Sequence, residues 1–305
     1  MSDWQPKTPV AFFVFNRPDT TKRVFEEIRR ARPPKLLVVA DGPRGNRPGE
    51  AEKCQAVREI IDTVDWPCEV LKNYSDVNLG CKLRVSSGLD WVFEQVAEVI
   101  VLEDDCLPHS TFFRFCEDLL DRYRDDERVG IISGDNFQFD RRRTQDSYYF
   151  SRYAHIWGWA SWRRTWQKYD VGIKQWPTVK REGWFLDIFQ DRKLVNYWYG
   201  VFEALFNNKI DTWDYQLNFA CWVNSMLNIV PNQNLISNIG FGADGTHITG
   251  RNKFSEMPGR EMKFPLVHPT MIIRNVLADS KTENDQFIKA AMISRIVNRI
   301  RRIIS

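Results

Sequence analysis

The sequence is short of the features that most readily decide a protein's class. Histidine is scarce, with four in 305 residues, and neither these nor the six cysteines form a CxxC pair or a zinc-type Cys/His spacing. That excludes a zinc ribbon or finger. Long apolar runs are missing too: no stretch approaches the roughly 18 residues of a spanning helix. Met1-Ser2-Asp3-Trp4-Gln5-Pro6-Lys7 is not a basic region leading into an apolar segment. A cytoplasmic protein is expected. Neither sign of charge is in excess, 43 Lys+Arg against 40 Asp+Glu, so composition gives no reason to invoke nucleic acid as a partner. Repeats and low-complexity linkers are also absent. Cys54, Cys68, Cys81, Cys106, Cys116 and Cys221 are expected to be free thiols, because a chain of this size in a reducing compartment needs no disulfides.

What is present is core-forming material, 43% hydrophobic and 13% aromatic. Val10–Phe15, Lys35–Ala40, Cys68–Lys72 and Val99–Leu102 are short apolar runs that read as strands buried on both faces. Between them, helical patterns span 19–30, 50–64 and 83–96. Alternation of strand and helix with short connections predicts βαβ units and a mostly parallel sheet. Beyond a helix at 110–123 and a strand at 129–134, the chain turns aromatic and irregular from Tyr148 to Tyr169. Helices are expected again near 193–206 and 215–225. One continuous domain over 1–285 is expected, in two halves of different character, 1–108 and 109–285.

Ligands of such sheets bind at the carboxyl ends of the strands. Asn16-Arg17-Pro18, Asp41-Gly42, Asn78-Leu79-Gly80 and Glu103-Asp104-Asp105 all follow strand ends. Three consecutive acids after four apolar residues repel one another, and a cation relieves that repulsion. One or two carboxylates completed by phosphate oxygens and water is how magnesium or manganese is held. The plainer alternative is that the acids cap the helix that follows.

The stretch Val99-Ile100-Val101-Leu102-Glu103-Asp104-Asp105-Cys106-Leu107-Pro108, followed by Phe112-Phe113-Arg114-Phe115, resembles the GT-A nucleotide-sugar transferases. It is similar in particular to the eukaryotic transferases that add β1,2-linked N-acetylglucosamine to the mannose of N-glycans, and to bacterial surface-glycan transferases. The resemblance extends over about residues 10–250 as an order of motifs. It implies an αβα sandwich of GT-A, Rossmann-like type with an aromatic-rich acceptor side. It also implies a metal-dependent, inverting transferase using a nucleotide-diphosphate sugar, UDP-linked for instance to N-acetylglucosamine, and Mn2+ or Mg2+. By this resemblance Asn16 and Arg17 approach base and pyrophosphate, and Asp41 accepts a hydrogen bond from the base. Asn78 and Gly80 bring backbone to the nucleotide, Arg84 binds pyrophosphate, Asp104 meets ribose or sugar, and Asp105 holds the metal, with Glu103 beside them. Taken singly, Asn16, Asp41 and Asn78 are also good turn residues, and Arg84 a solvated helix charge.

Inverting transfer needs a carboxylate to take the acceptor hydroxyl's proton. Thr212-Trp213-Asp214-Tyr215 resembles the segment that supplies this base, which nominates Asp214, with Asp211 in reserve; an ordinary N-cap is the alternative. Trp157, Gly158 and Trp159 match a Gly-Trp loop shaping the sugar pocket, although tryptophans also serve as plain core. His247 ends a glycine-rich segment, Asn238 to His247, that resembles a loop closing over the donor. The acceptor is left as a bacterial glycan, lipid-linked molecule or protein. Residues 286–305 form a basic amphipathic pattern that suits either an anionic membrane surface or packing on the domain. A nucleotidyltransferase or a non-catalytic binder of the same fold is the competing reading. The former normally starts from a Gly-rich, Lys/Arg-containing loop after the first strand, which Asn16-Arg17-Pro18-Asp19 is not.

Overall fold

A computed structural model describes residues 4–241 and 257–288. Strands β1 (Val10–Val14), β2 (Lys35–Ala40), β3 (Glu69–Tyr74) and β4 (Glu98–Glu103) alternate with helices α1 (Pro18–Ala31), α2 (Glu50–Ile61) and α3 (Gly80–Gln95). β1 lies between β2 and β4, parallel to both, with Phe12 opposite Val38 and Leu102. β3 continues the parallel ladder outside β2.

Every residue of β1 is buried, and its alternate side chains explain why. Val10, Phe12 and Val14 meet Val24, Phe25 and Ile28 of α1 and Val57 and Ile61 of α2. Ala11 and Phe13 point to the other face, against Leu89, Val92 and Phe93 of α3. Two faces covered by helices make the sandwich of three layers that the apolar runs require.

The second half extends the same sheet. After β5 (Cys106–Pro108) and α4 (Phe112–Arg122) come β6 (Val129–Ser133), β7 (Tyr148–Ser151) and β8 (Trp159–Trp162). Short helices α5 (Arg163–Trp166), α6 (Trp176–Glu182) and α7 (Phe185–Phe189) lead to α8 (Arg192–Phe206), α9 (Asp214–Val223), β9 (Leu227–Pro231) and β10 (Ile236–Asn238). The strand order is β3-β2-β1-β4-β8-β6-β9-β7. β8 is antiparallel to both β4 and β6, and β7 is antiparallel to β9. β1 to β4, β6 and β9 therefore share one direction, and only β7 and β8 oppose it. The sheet is mostly parallel, as expected.

The stretch 148–169 is irregular only in part, at 152–158 and 167–169. It contributes β7 and β8, both buried throughout, and β8 sits in the middle of the sheet. Burial on both faces removes the alternation that marks a strand, and four residues are too few to establish a pattern. Gly158, just before β8, has φ +62, and a Cβ there would lie 2.6 Å from Ile236 Cδ1, so only glycine fits.

β10 pairs with β5, Asn238 opposite Cys106, as a separate small sheet. All six cysteines are free, with Cys54, Cys106, Cys116 and Cys221 buried. Helix α10 (Val276–Thr282) runs into a π-helical turn, Glu283–Ile288. The amphipathic pattern assigned to 286–305 lies outside the described residues from position 289 on, as does His247. Among the described residues no helix is long and apolar enough to cross a membrane.

Candidate active site

The carboxyl ends of the parallel strands form one rim, but the residues along it divide into two groups. The first is scaffold. Asp41 Oδ1 accepts hydrogen bonds from the amides of Gly42 and Leu79, both at 2.9 Å. Its Oδ2 accepts from Asn78 Nδ2 at 3.0 Å and from the Gly80 amide at 3.2 Å. Asn78 also donates to the Gly42 carbonyl. Burial pushes the Asp41 carboxyl upward against the pull of these amides. Asp41, Asn78 and Gly80 thus tie the loop between β3 and α3 to the end of β2, and Asp41's acceptor positions are filled by its own chain.

Arg84 is turned inward. It is 7% exposed, so it is no solvated charge. Its Nε donates to the Ala40 carbonyl at 3.1 Å and its Nη2 to Asn73 O and Oδ1 at 2.5 and 2.7 Å. The guanidinium braces β2 against β3. Asp211, the reserve base, packs beside Gly80 and accepts from the Lys82 amide at 3.1 Å. That places its charge in the first turn of α3, where a helix favours an anion.

The second group lines open space. Glu103 closes β4, and Asp104 Oδ2 accepts from the Phe15 amide at 3.1 Å, locking β4 to β1. Asp105 Oδ2 lies 2.6 Å from Arg17 Nη1, and Asp104 Oδ1 lies 3.6 Å from the same nitrogen. One guanidinium serves three acids. Burial, then Asp105, Asp104 and Asp214, push Glu103 up to about 8. Burial and Asp105 push Asp104 up to about 7.

Two cavities meet at Arg17. One, of about 500 Å³, is lined by Asn16, Arg17, Arg44, Arg47, Glu50 and Lys53. Asn16 Nδ2 donates to Glu50 Oε1 at 2.9 Å. Arg44 hydrogen-bonds the same carboxylate and draws it down to about 2. The other, of about 480 Å³, contains Arg17, Glu103, Asp105, Trp157, Asp211 and Asp214. Gly240 and Phe241 border both. Ile239 donates its amide to the Asp105 carbonyl at 2.8 Å, which lays residues 238–241 directly over the acidic triplet.

Asp214 is the first residue of α9, and the Thr212 hydroxyl donates to its Oδ1. Trp157 lines the cavity with it, whereas Trp159 is 1% exposed and stacks on Trp213 at 5.8 Å. Trp159 stands behind the wall, not in it. Of the residues named from sequence, Asn16, Arg17, Glu103, Asp105, Trp157, Asp211 and Asp214 border the two cavities. Asp41, Asn78, Gly80, Arg84, Asp104, Gly158 and Trp159 hold the framework.

Sequence reasoning missed Arg44, Arg47 and Lys53, which make the first cavity basic. Their signal was a cluster of cations just past a strand end, passed over as a turn. Gly240, inside the glycine-rich segment that begins at Asn238, leaves no room for a Cβ beside Asp105, a closeness that sequence does not reveal. Among the described residues no group of three or more His, Cys, Asp or Glu side chains is arranged to enclose a metal.

No protein-family model matches the chain, and no curated protein matches its sequence. Among solved structures it is similar to a 4-diphosphocytidyl-2C-methyl-D-erythritol synthase from Anaerococcus prevotii, with TM-score 0.32 and 9% identity over 52% of this chain and 72% of that one. It is also similar to UDP-glucose pyrophosphorylase complexed with UDP-glucose, with TM-score 0.28 and 10% identity over 49% and 64% of the two chains. An apo-form UDP-glucose pyrophosphorylase gives TM-score 0.32 and 10% identity over 52% and 78%. Likeness of this order assigns no activity.

Proposed function

We propose that the chain is a metal-dependent, inverting glycosyltransferase that moves a sugar from a UDP-linked donor to a hydroxyl of a glycan, lipid-linked or protein acceptor. One observation carries this. A carboxylate on a helix start, Asp214, shares a sugar-sized cavity with the acidic end of β4, and Arg17 joins that cavity to a basic groove.

In this scheme Arg17, Arg44, Arg47 and Lys53 face the donor's diphosphate, and the sugar occupies the cavity between Glu103 and Asp214. Thr212 fixes the orientation of the Asp214 carboxylate, which takes the proton from the acceptor hydroxyl as that oxygen attacks the anomeric carbon. The bond from the anomeric carbon to the diphosphate oxygen breaks, and the leaving charge is met by the cations of the groove. Asp105 is the residue that would hold a divalent cation, and a single carboxylate completed by substrate oxygens suits magnesium or manganese better than an all-protein cage does. When bound, that ion supplies further neutralisation of the diphosphate.

Thermal shift and turnover test the scheme together. One of UDP, GDP, CMP and dTDP, expected to be UDP, should raise the melting midpoint only with manganese. Saturation at 100 times the dissociation constant is worth about 2.7 kcal/mol. Asp105→Ala is expected to lose this shift. Asp214→Asn is expected to keep it and lose transfer. Turnover retained in Asp214→Asn removes the base assignment, and formation of a nucleotide sugar from a nucleoside triphosphate and a sugar phosphate would make the protein a nucleotidyltransferase instead.

A further inference from the structure

A third cavity, of about 430 Å³, opens on the far side of Asp214 and shares Ile156, Trp157, Asp214 and Tyr215 with the catalytic one. Resting on the reading of Asp214 as the base, we propose that it is the acceptor subsite, that it takes an uncharged, hydroxyl-rich sugar ring, and that Asp135 is the residue that recognises it.

The walls are aromatic and held by one another. Phe137 meets Trp157 edge-on at 5.1 Å, Trp198 meets Tyr215 at 5.7 Å, and Phe287 packs on Trp198 at 4.9 Å. Rings fixed in this way present flat apolar surfaces that suit the C–H faces of a pyranose. At the back of the cavity Asp135 is 0% exposed. Its Oδ1 accepts from the Trp157 amide at 3.2 Å, whereas its Oδ2 has no hydrogen-bond partner among the described residues. Native structures seldom leave a buried carboxyl oxygen unused, because the lost hydration is not replaced. A hydroxyl of a bound sugar would replace it. Burial drives Asp135 well above the ordinary carboxylate range.

Position and charge agree with this assignment. β6 runs in the direction of β4, so Asp135, two residues past its end, lies on the rim that carries the acidic triplet. Among the described residues no lysine or arginine lines the cavity. Its titratable groups besides tyrosines are Asp135, Asp214, Asp285 and His155, and burial lowers His155 to about 3, which keeps it neutral. Lys281 pairs with Asp285 at the margin. The other packed polar side chain, Asn218, is committed to Ala154, accepting from its amide at 2.9 Å and donating to its carbonyl at 3.3 Å. Among the described residues a phosphorylated or uronic-acid ring would find carboxyl groups and no cation in the wall. The site is therefore polar end to end, with cations at the donor's diphosphate and acids with aromatic faces at the acceptor.

The probes are methyl glycosides of galactose, glucose and N-acetylglucosamine, set against methyl glucuronide and galactose 6-phosphate. Binding is followed by ligand-observed NMR with the full chain, with and without UDP and manganese. Neutral glycosides are expected to bind at least tenfold more tightly than the acidic ones. Asp135→Ala and, separately, Tyr197→Ala at the partly buried wall should weaken them tenfold or more while leaving UDP affinity as it was. Preference for the acidic probes, no binding by any neutral glycoside, or neutral binding unchanged in both variants would overturn the proposal. Because the glycosides are also measured without nucleotide, loss of the UDP response alone would count against the transferase reading and not against this subsite.

Discussion

Gly240→Ala is the sharpest single-atom perturbation of this site. A Cβ built on Gly240 would lie 2.2 Å from Asp105 Oδ2 and 2.9 Å from Asp105 Cβ and Cγ. Carbon atoms rest at about 3.5–4.0 Å, so the new methyl intrudes by roughly 0.6–1 Å on the carbons and by more on the oxygen. Asp105 has two ways to yield. Its side chain can rotate, giving up the 2.6 Å contact with Arg17, or residues 238–241 can lift, giving up the Ile239 amide bond to the Asp105 carbonyl. Overpacking of this kind costs about 1–3 kcal/mol. If that cost falls on Asp105's grip on the cation and diphosphate, it converts to about 5- to 150-fold weaker UDP binding in the presence of manganese. Isothermal titration of wild type and Gly240→Ala reads this directly. Gly45→Ala is the control, since a Cβ there meets nothing within 4 Å and its φ is unremarkable for an L-residue. Wild-type affinity in Gly240→Ala would refute the placement of nucleotide binding at Asp105.

Two further outcomes separate framework from function. Arg84→Met should strand the Ala40 and Asn73 carbonyls and cost about 2–4 kcal/mol of stability, read as a lower melting midpoint with UDP affinity unchanged; a tenfold loss of affinity at unchanged midpoint would restore Arg84 as a pyrophosphate ligand. Glu50, held at about 2 by Arg44 against an ordinary value of 4.5, stabilises the fold fully above about pH 4.5, and that contribution is lost as pH falls through 2; the midpoint difference between wild type and Glu50→Gln should shrink across that window, and a difference constant from pH 7 to 2 would contradict it.

Most of the first hundred residues were legible because their pattern has one solution. Val10–Val14 and Lys35–Ala40 are apolar on both faces, short, and bounded by turn residues, which a parallel strand covered by helices explains and a helix does not. The acidic triplet was legible for the same reason, being charge set against the end of such a strand. Side-chain direction was not legible. Asp41 and Arg84 carry the residue types of ligands, yet each turns inward to satisfy backbone groups that only the folded loop reveals. Asp135 illustrates the converse. The strand-end rule that selected Glu103 applies equally to β6, but a strand of Val129–Ser133 followed by Gly134-Asp135 looks like an ordinary turn until its direction in the sheet is known.

Trp159 shows what the aromatic half contributes beyond a pocket wall. It pairs with Val101 across the β4–β8 ladder, two residues before Glu103. Its ring stacks on Trp213 at 5.8 Å, and Trp213 is followed by Asp214. Tyr169 adds a second tether by donating its hydroxyl to the Trp213 carbonyl at 3.1 Å. The acids that end β4 and Asp214, the proposed base at the start of α9, are more than a hundred residues apart in sequence, yet a strand pairing and one ring stack connect them. Catalytic groups must be held to within a fraction of an ångström of each other, and a packed tryptophan pair in a sheet has far less freedom than a loop contact would. A tryptophan in this segment is therefore of greater use behind the cavity than in it, because it fixes the position of Asp214 relative to the carboxylates at the end of β4.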